Sequence, residues 1–204
     1  KGEKTVDNSR IADAVIESLF VEMEASGRHV HVTREQAETL FGHGLTPRRP
    51  LSQPGQYLAE ERVSVRGPKG EFQNVAVLGP PRKEAQVELS LTDARTLGVD
   101  APVRLSGDTT GTPGAVLIGE KGSVSLTHGV IVAQRHVHLS PEAAERFGVK
   151  HGQQVRLQTL TGRPLTFHRV AVRVSPDFAP YVHLDYDEAN ACGFRKGDLG
   201  RILP

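Results

Sequence analysis

Two short segments of the chain each place two histidines one residue apart. His29 and His31 form the first pair, and His136 and His138 form the second. On a β-strand, side chains at positions i and i+2 point to the same face, so each pair presents two imidazoles together while the valine between them points into packing. Two neutral imidazoles at this spacing can share one transition-metal ion. Because the pair occurs twice, metal ligation is favoured over structurally hydrogen-bonded histidines.

A weaker repeat predicts a third donor for each pair. Val87–Gly98 aligns with Val182–Gly193, which puts Glu88 and His183 at the same repeat position. Three protein ligands leave an open coordination position, which is typical of catalytic zinc, and nitrogen-rich ligation favours Zn²⁺ over Mg²⁺ or Ca²⁺, with Co²⁺ and Ni²⁺ also suitable. Exchange of ligands between the two halves stays open. The predicted metal ligands are His29, His31 and Glu88 in one set, and His136, His138 and His183 in the other.

Other reactive side chains accompany these ligands. Arg82 lies six residues before Glu88 in a turn-like segment, where it is either an anchor for phosphate or carboxylate or a solvated surface residue. Arg173 is a weaker candidate of the same kind. Cys192 aligns with an apolar repeat position, so a buried structural thiol is favoured over a nucleophile.

The elements that must position these residues are also duplicated. Arg28–Glu38 returns as Arg135–Glu145, 107 residues later, with seven of eleven positions identical. In both copies a strand is followed by a capped helix, predicted at about 34–41 and 141–147. Two further helices are predicted to start after Thr92 and Asp187 and to end at glycines.

Alternating valines predict β-hairpins between these helices. Strands around Val63–Val65 and Val75–Val77 flank one turn, and strands around Val155–Leu157 and Val170–Val172 flank another. The Gly/Pro-rich stretch Gly42–Gln56 is interpreted as an inserted loop. The predicted fold is mainly β with short α-helices, as two similar β-barrels capped by helices.

The chain is divided into three parts on this basis. Residues 24–132 and 133–204 are the two barrel halves, the second sharing the first strand, and residues 1–23 form an N-terminal helical segment. Within that segment, Ser9–Phe20 carries apolar residues at helical spacing (Ile11, Val15 and Leu19). Packing of this helix on the body is favoured over a role as a detachable docking peptide.

Composition excludes several classes of protein. Lys and Arg total 25 and Asp and Glu 24, so a net charge of +1 and scarce aromatic residues argue against a nucleic-acid-binding barrel. A single cysteine excludes a disulfide framework and a multi-cysteine zinc site. With neither an apolar run approaching ~18 residues nor a secretory segment, an intracellular location is expected.

The two R-H-V-H-[VL]-[TS] segments, with Q-V-E-L-S and V-H-L-D, resemble the PduL-type phosphate propanoyltransferases, the phosphotransacylases of bacterial microcompartments. The resemblance runs from Glu24 to Leu203. It implies two β-barrels with two zinc ions between them, held by the six ligands above. It further implies that Arg82 contacts phosphate as a catalytic residue, and that Gln86 and Arg173 are active-site positions.

The resemblance also implies partners and a location. Coenzyme A would bind at the barrel interface, and the enzyme would be a homodimer. Microcompartment members carry an amphipathic N-terminal peptide, so the segment before Glu24 could contact shell or core proteins. The expected location is the microcompartment lumen or the cytoplasm, in propanediol degradation.

The expected reaction converts a short-chain acyl-CoA (propanoyl-CoA or acetyl-CoA) and phosphate into acyl phosphate and CoA at a dinuclear zinc site. Without a well-placed serine, cysteine or His–Asp pair, direct attack by phosphate is expected. A dinuclear metallohydrolase of thioesters or phosphoesters is the main alternative. A metal-stabilised structural module is disfavoured because structural zinc is usually closed by four ligands.

Overall fold

The computed structural model describes residues 8–203. The helices are α1 (Asn8–Leu19), α2 (Arg34–Phe41), α3 (Leu91–Leu97), α4 (Pro141–Phe147) and α5 (Tyr186–Cys192). The strands are β1 (Val21–Ser26), β2 (His29–His31), β3 (Pro47–Pro50), β4 (Tyr57–Arg66), β5 (Glu71–Gly79), β6 (Gln86–Leu89), β7 (Val103–Arg104), β8 (Val116–Ile118), β9 (Ser123–Ser125), β10 (Val130–Ala133), β11 (His136–Leu139), β12 (Gln154–Leu160), β13 (Thr166–Val174), β14 (Tyr181–Asp185) and β15 (Leu199–Leu203).

One compact unit is a closed six-stranded barrel. Its described residues are 8–24, His136–His183 and 192–203. The strand order is β1-β14-β11-β13-β12-β15, so the first strand pairs with the last one. Residues alternate between buried and exposed along β12, as expected for a barrel wall. Gly200 lets β15 pack closely, since a Cβ there would lie 2.6 Å from Leu157 Cδ1.

The other unit is built on a nine-stranded curled sheet. It comprises Ala25–Arg135 and Leu184–Ala191. The strand order is β7-β10-β6-β2-β5-β4-β8-β9, with β3 added to β4. The largest fully buried side chains of its apolar core are Leu40, Leu97 and Leu117.

The two units repeat the same local topology around the histidine pairs. In the curled sheet, β2 lies between antiparallel β6 and parallel β5. In the barrel, β11 lies between antiparallel β14 and parallel β13. The mainly β class predicted from the duplicated sequence is therefore confirmed. The central valines Val30 and Val137 are fully buried, as predicted from strand alternation.

Capping residues explain where the helices begin. α2 and α4 have the predicted bounds, with Thr33 and Ser140 as N-caps. The predicted starts of the other two helices are late by about two residues. Ser90 is the N-cap of α3, and the Asp185 carboxylate accepts a hydrogen bond from Glu188 N at 2.8 Å at the start of α5. Thr92 and Asp187 belong to residue types that often cap helices, which is why the sequence placed both helix starts two residues too late.

One further expectation is wrong. The stretch 42–56 is not wholly a loop, because it contains β3, which pairs with the following strand β4. Its two prolines suit a strand at the edge of a sheet, where the missing N–H groups face no partner strand. The N-terminal helix α1 contacts α4, while its Val15 and Leu19 side chains are 49% and 46% exposed. The Ile11 side chain lies outside the described residues.

Among residues 8–203, the structure has no helix with both the length and the apolar character required to cross a bilayer.

Candidate metal centres and active site

The first predicted ligand set comes together on β2 and β6. His29 lies directly opposite Glu88 in the antiparallel pair, and opposed residues point to the same face. The Nε2 atoms of His29 and His31 lie 3.6 and 3.7 Å from Glu88 Oε1. A tetrahedral zinc ion with bonds of about 2.0–2.1 Å needs donors about 3.3–3.4 Å apart. These three atoms could therefore hold a metal after shifts of a few tenths of an ångström.

Backbone carbonyls set the tautomers of this histidine pair. His29 Nδ1 lies 2.8 Å from the carbonyl oxygen of Gly27, and His31 Nδ1 lies 3.2 Å from that of Leu78. A carbonyl can only accept, so in each neutral ring Nδ1 carries the proton and Nε2 keeps its lone pair. Both lone pairs belong to the nitrogens nearest Glu88, which is the arrangement that metal ligation requires.

Burial and the mutual charges of its three residues set the electrostatics of this triad. Burial opposes protonation of His29, but the Glu88 carboxylate outweighs it and raises the pKa of His29. Burial, with the positive charges of His29 and Arg82, holds the pKa of His31 well below its usual range. Burial alone would raise the pKa of Glu88, yet the two histidines and a hydroxyl hydrogen bond hold it well below its usual range. The carboxylate is therefore ionised and available to a cation.

The second predicted set comes together on β11 and β14. His136 lies directly opposite His183, as His29 lies opposite Glu88. The ring centroids of His136 and His138 lie 5.0 and 4.9 Å from that of His183. His183 Nδ1 also lies 3.8 Å from a carboxylate oxygen of Glu24.

Both triads have donor sets that suit zinc. In each, one donor atom per residue lies within 4.8 Å of the others. Each triad draws all of its residues from one compact unit, so within residues 8–203 these clustered donors are not exchanged between the two units. A carboxylate with two imidazoles, or three imidazoles, is a set that zinc accepts with a position left open for substrate.

A polar network surrounds Glu88. Gln86 lies opposite His31 in the strand pair and donates from Nε2 to Glu88 Oε1. Ser106 Oγ lies 2.7 Å from the same oxygen, 2.9 Å from Gln86 Nε2 and 3.1 Å from Arg82 Nη1. The predicted residues Arg82 and Gln86 are thus joined to the first triad. Ser106 was missed by sequence reasoning, and no motif or spacing signals it.

Comparison with known proteins places the chain among enzymes. Residues 22–195 match the family model for phosphate propanoyltransferase. The chain belongs to the phosphate propanoyltransferase family. Its members are acyltransferases.

Individual relatives cover most of the chain. The phosphate propanoyltransferase of Listeria monocytogenes serovar 1/2a is 56% identical over 185 residues, which are 90% of this chain and 87% of that protein. The enzyme of Enterococcus faecalis is 55% identical over 184 residues, or 89% and 87% of the two chains. The enzyme of Thermotoga maritima is 54% identical over 181 residues, or 87% and 86%.

In this family member, two arginine–carboxylate pairs stand beside the histidine pairs. Arg28 makes two hydrogen bonds to Asp93, at 2.7 and 3.1 Å, and Arg135 makes one to Glu188 at 2.6 Å. Each acidic residue also accepts from the backbone N–H of a helix N-cap residue. The carboxylates therefore do more than complement the helix dipole. Each pair joins the residue directly before a histidine pair to the helix that follows the corresponding third donor.

The remaining candidate residues lie outside the hydrogen-bond network of the first triad. Arg173 lies opposite His138 across β11 and β13, with its guanidinium 5.7 Å from the Phe178 ring centroid. Its substrate-binding role stays a prediction. Cys192 is fully buried, which agrees with a structural thiol. The four histidines outside the triads are exposed: His43, His128, His151 and His168.

Proposed function

We propose that the protein interconverts a short-chain acyl-CoA, propanoyl-CoA or acetyl-CoA, and phosphate with acyl phosphate and CoA. One zinc ion would bind in each histidine triad. Family membership supports the reaction class. The observation that carries the metal assignment is the first triad, where Nδ1 of both imidazoles is committed to a carbonyl and Nε2 of both faces an ionised carboxylate.

The reaction transfers an acyl group from sulfur to oxygen. A phosphate oxygen attacks the thioester carbonyl carbon, a C–O bond forms, the C–S bond breaks, and its electron pair leaves with the CoA thiolate. Phosphate is heavily hydrated, so the protein must hold it and aim one oxygen. Arg82 suits this task, because its planar guanidinium offers N–H donors in a fork that matches phosphate oxygens, and its hydrogen bond to Ser106 places it beside the first triad.

The chain's own residues prepare the remainder of the site. A bound zinc ion would supply Lewis-acid polarisation of the carbonyl and a soft partner for thiolate. Burial of His29, His31 and Glu88 keeps water away from the donor atoms of the first triad. Gln86 presents a fixed amide beside the carboxylate, since Gly107 N–H donates to its oxygen at 2.7 Å. With Cys192 buried, direct transfer to phosphate is proposed rather than an acyl-enzyme.

Thiol release from acyl-CoA tests this proposal against the hydrolase alternative. The transacylase requires phosphate for thiol release and forms acyl phosphate, trapped as a hydroxamate, in equal amount. Thiol release at the same rate without phosphate would instead show a metallohydrolase. A protein acylated by acyl-CoA alone, detected by mass spectrometry, would contradict direct transfer.

We also propose that α1 directs the enzyme into a microcompartment by contact with shell or core proteins. Support comes from the exposed apolar residues of α1, namely Val15, Ile16 and Leu19. A Val15→Glu/Leu19→Glu variant should keep its transacylase activity in vitro but lose co-purification with microcompartments. Unchanged co-purification would contradict this role.

A further inference from the structure

The hydroxyl of Ser106 has a defined hydrogen-bond direction. Arg82 Nη1 and Gln86 Nε2 lie 3.1 and 2.9 Å from Ser106 Oγ, and both nitrogens can only donate. The orientation of the Gln86 amide follows from its neighbours, because Gly107 N–H must meet its oxygen. Ser106 Oγ therefore accepts twice. Its single proton is left for Glu88 Oε1, 2.7 Å away.

The oxygen that receives this proton is the one that faces the histidines. Glu88 Oε1 lies 3.6 Å from His29 Nε2, and it also accepts from Gln86 Nε2. Two donors thus fix one carboxylate oxygen at the place where the triad needs it. Hydrogen bonds to a ligating carboxylate orient it, and their removal typically costs about 10–100-fold in metal affinity or activity.

We propose that Ser106 is a positioning residue that joins the phosphate-holding arginine to the metal-holding carboxylate. This inference rests on the proposed function. The hydroxyl orients Glu88 by donating to it and orients Arg82 by accepting from it. Because its proton is committed to Glu88 and its oxygen already accepts two hydrogen bonds, Ser106 is suited to orientation and not to attack on substrate.

The inference predicts an asymmetry between two variants. Ser106→Ala removes the donor to Glu88 and the acceptor for Arg82, so it should weaken both metal binding at the first triad and phosphate use. Arg82→Ala leaves the Ser106–Glu88 hydrogen bond in place and removes a positive charge near the histidines. It should weaken phosphate use without weakening metal binding.

The experiment isolates the first triad and uses metal ions as the probe. Ser106→Ala, Ser106→Thr and Arg82→Ala are each made in a His138→Ala background, which disables the second triad. Affinity for Zn²⁺ is measured by competition with a chromophoric chelator, and Co²⁺ spectra report ligand geometry. Ser106→Ala should lower the affinity at least tenfold, whereas Ser106→Thr, which keeps the hydroxyl, should restore most of it. Ser123→Ala, an exposed serine in the same unit, is the matched control.

Steady-state kinetics of the single variants supply the second measurement. In Ser106→Ala with otherwise native sequence, the KM for phosphate should rise several-fold more than the KM for acyl-CoA. An affinity for Zn²⁺ within twofold of the parent, or equal losses in the alanine and threonine variants, would overturn the inference. Failure of the proposed function would look different: the unmodified protein would form no acyl phosphate, while the metal titration would still report on Ser106.

Discussion

Removing one histidine from either triad should remove one metal ion and leave the other. His31→Ala and His138→Ala each delete a ligand from a different set, and the two sets share no residue. Purified unmodified protein should contain two zinc ions per chain. Each variant should contain one, with nearly all transacylase activity lost because each site lacks a replacement donor.

The size of the effect can be worked out from the number of ligands. Structural zinc sites with four ligands bind with a free energy of about 10–16 kcal/mol, or roughly 2.5–4 kcal/mol per ligand. Losing one ligand should thus weaken binding about 10²–10³-fold. The loss falls on the affected triad alone, because each third donor lies opposite its own histidine pair within one sheet.

Elemental analysis after dialysis against a weak chelator measures this directly. His43→Ala is the matched control, since the His43 side chain is 58% exposed and belongs to neither triad. Circular dichroism should show that all variants keep their strand content. Loss of both metals in either variant, or of neither, would refute the assignment of two independent triads.

Three further predictions concern substrate, assembly and packing. Arg82→Ala should raise the KM for phosphate about tenfold while the KM for acyl-CoA changes little, and unchanged phosphate dependence in steady-state assays would remove Arg82 from its role. Arg28→Gln leaves a buried carboxylate without its guanidinium partner, so urea unfolding should show a loss of roughly 1–2 kcal/mol, reduced by the partial exposure of Arg28. Gly114→Ala places a Cβ against the Leu126 carbonyl, so its melting temperature should fall, whereas Gly44→Ala has open space and should melt unchanged.

Local signals made much of the fold predictable. The bounds of α2 follow from the Thr33 capping box and a left-handed glycine at its end, and both are readable from neighbouring residues. The clustering of the two donor triads was predictable for a different reason. Strand alternation places paired histidines on one face, and the duplication identified Glu88 and His183 as equivalent donors before their strands were known to pair.

The missed features depend on contacts between distant positions. Ser106 lies in the connection between β7 and β8, and it meets Glu88 only because the sheet brings that connection to the end of β6. The Arg28–Asp93 pair spans 65 residues in the same way. β3 escaped prediction because its prolines argue against a strand, and only its place at a sheet edge makes them tolerable.

The two halves repeat the backbone of the site but not its chemistry. The third donor is a carboxylate in the first triad and an imidazole in the second. With a divalent ion bound, the first triad would therefore carry one positive charge fewer than the second. Around the first triad the neighbours are polar, with Gln86 opposite His31 and Arg82 close by. Around the second, the Phe178 ring lies 4.1 Å from the His138 ring. Because Arg173 lies opposite His138, the second triad also has a charged neighbour, so the clearest chemical difference between the two triads is the third donor itself.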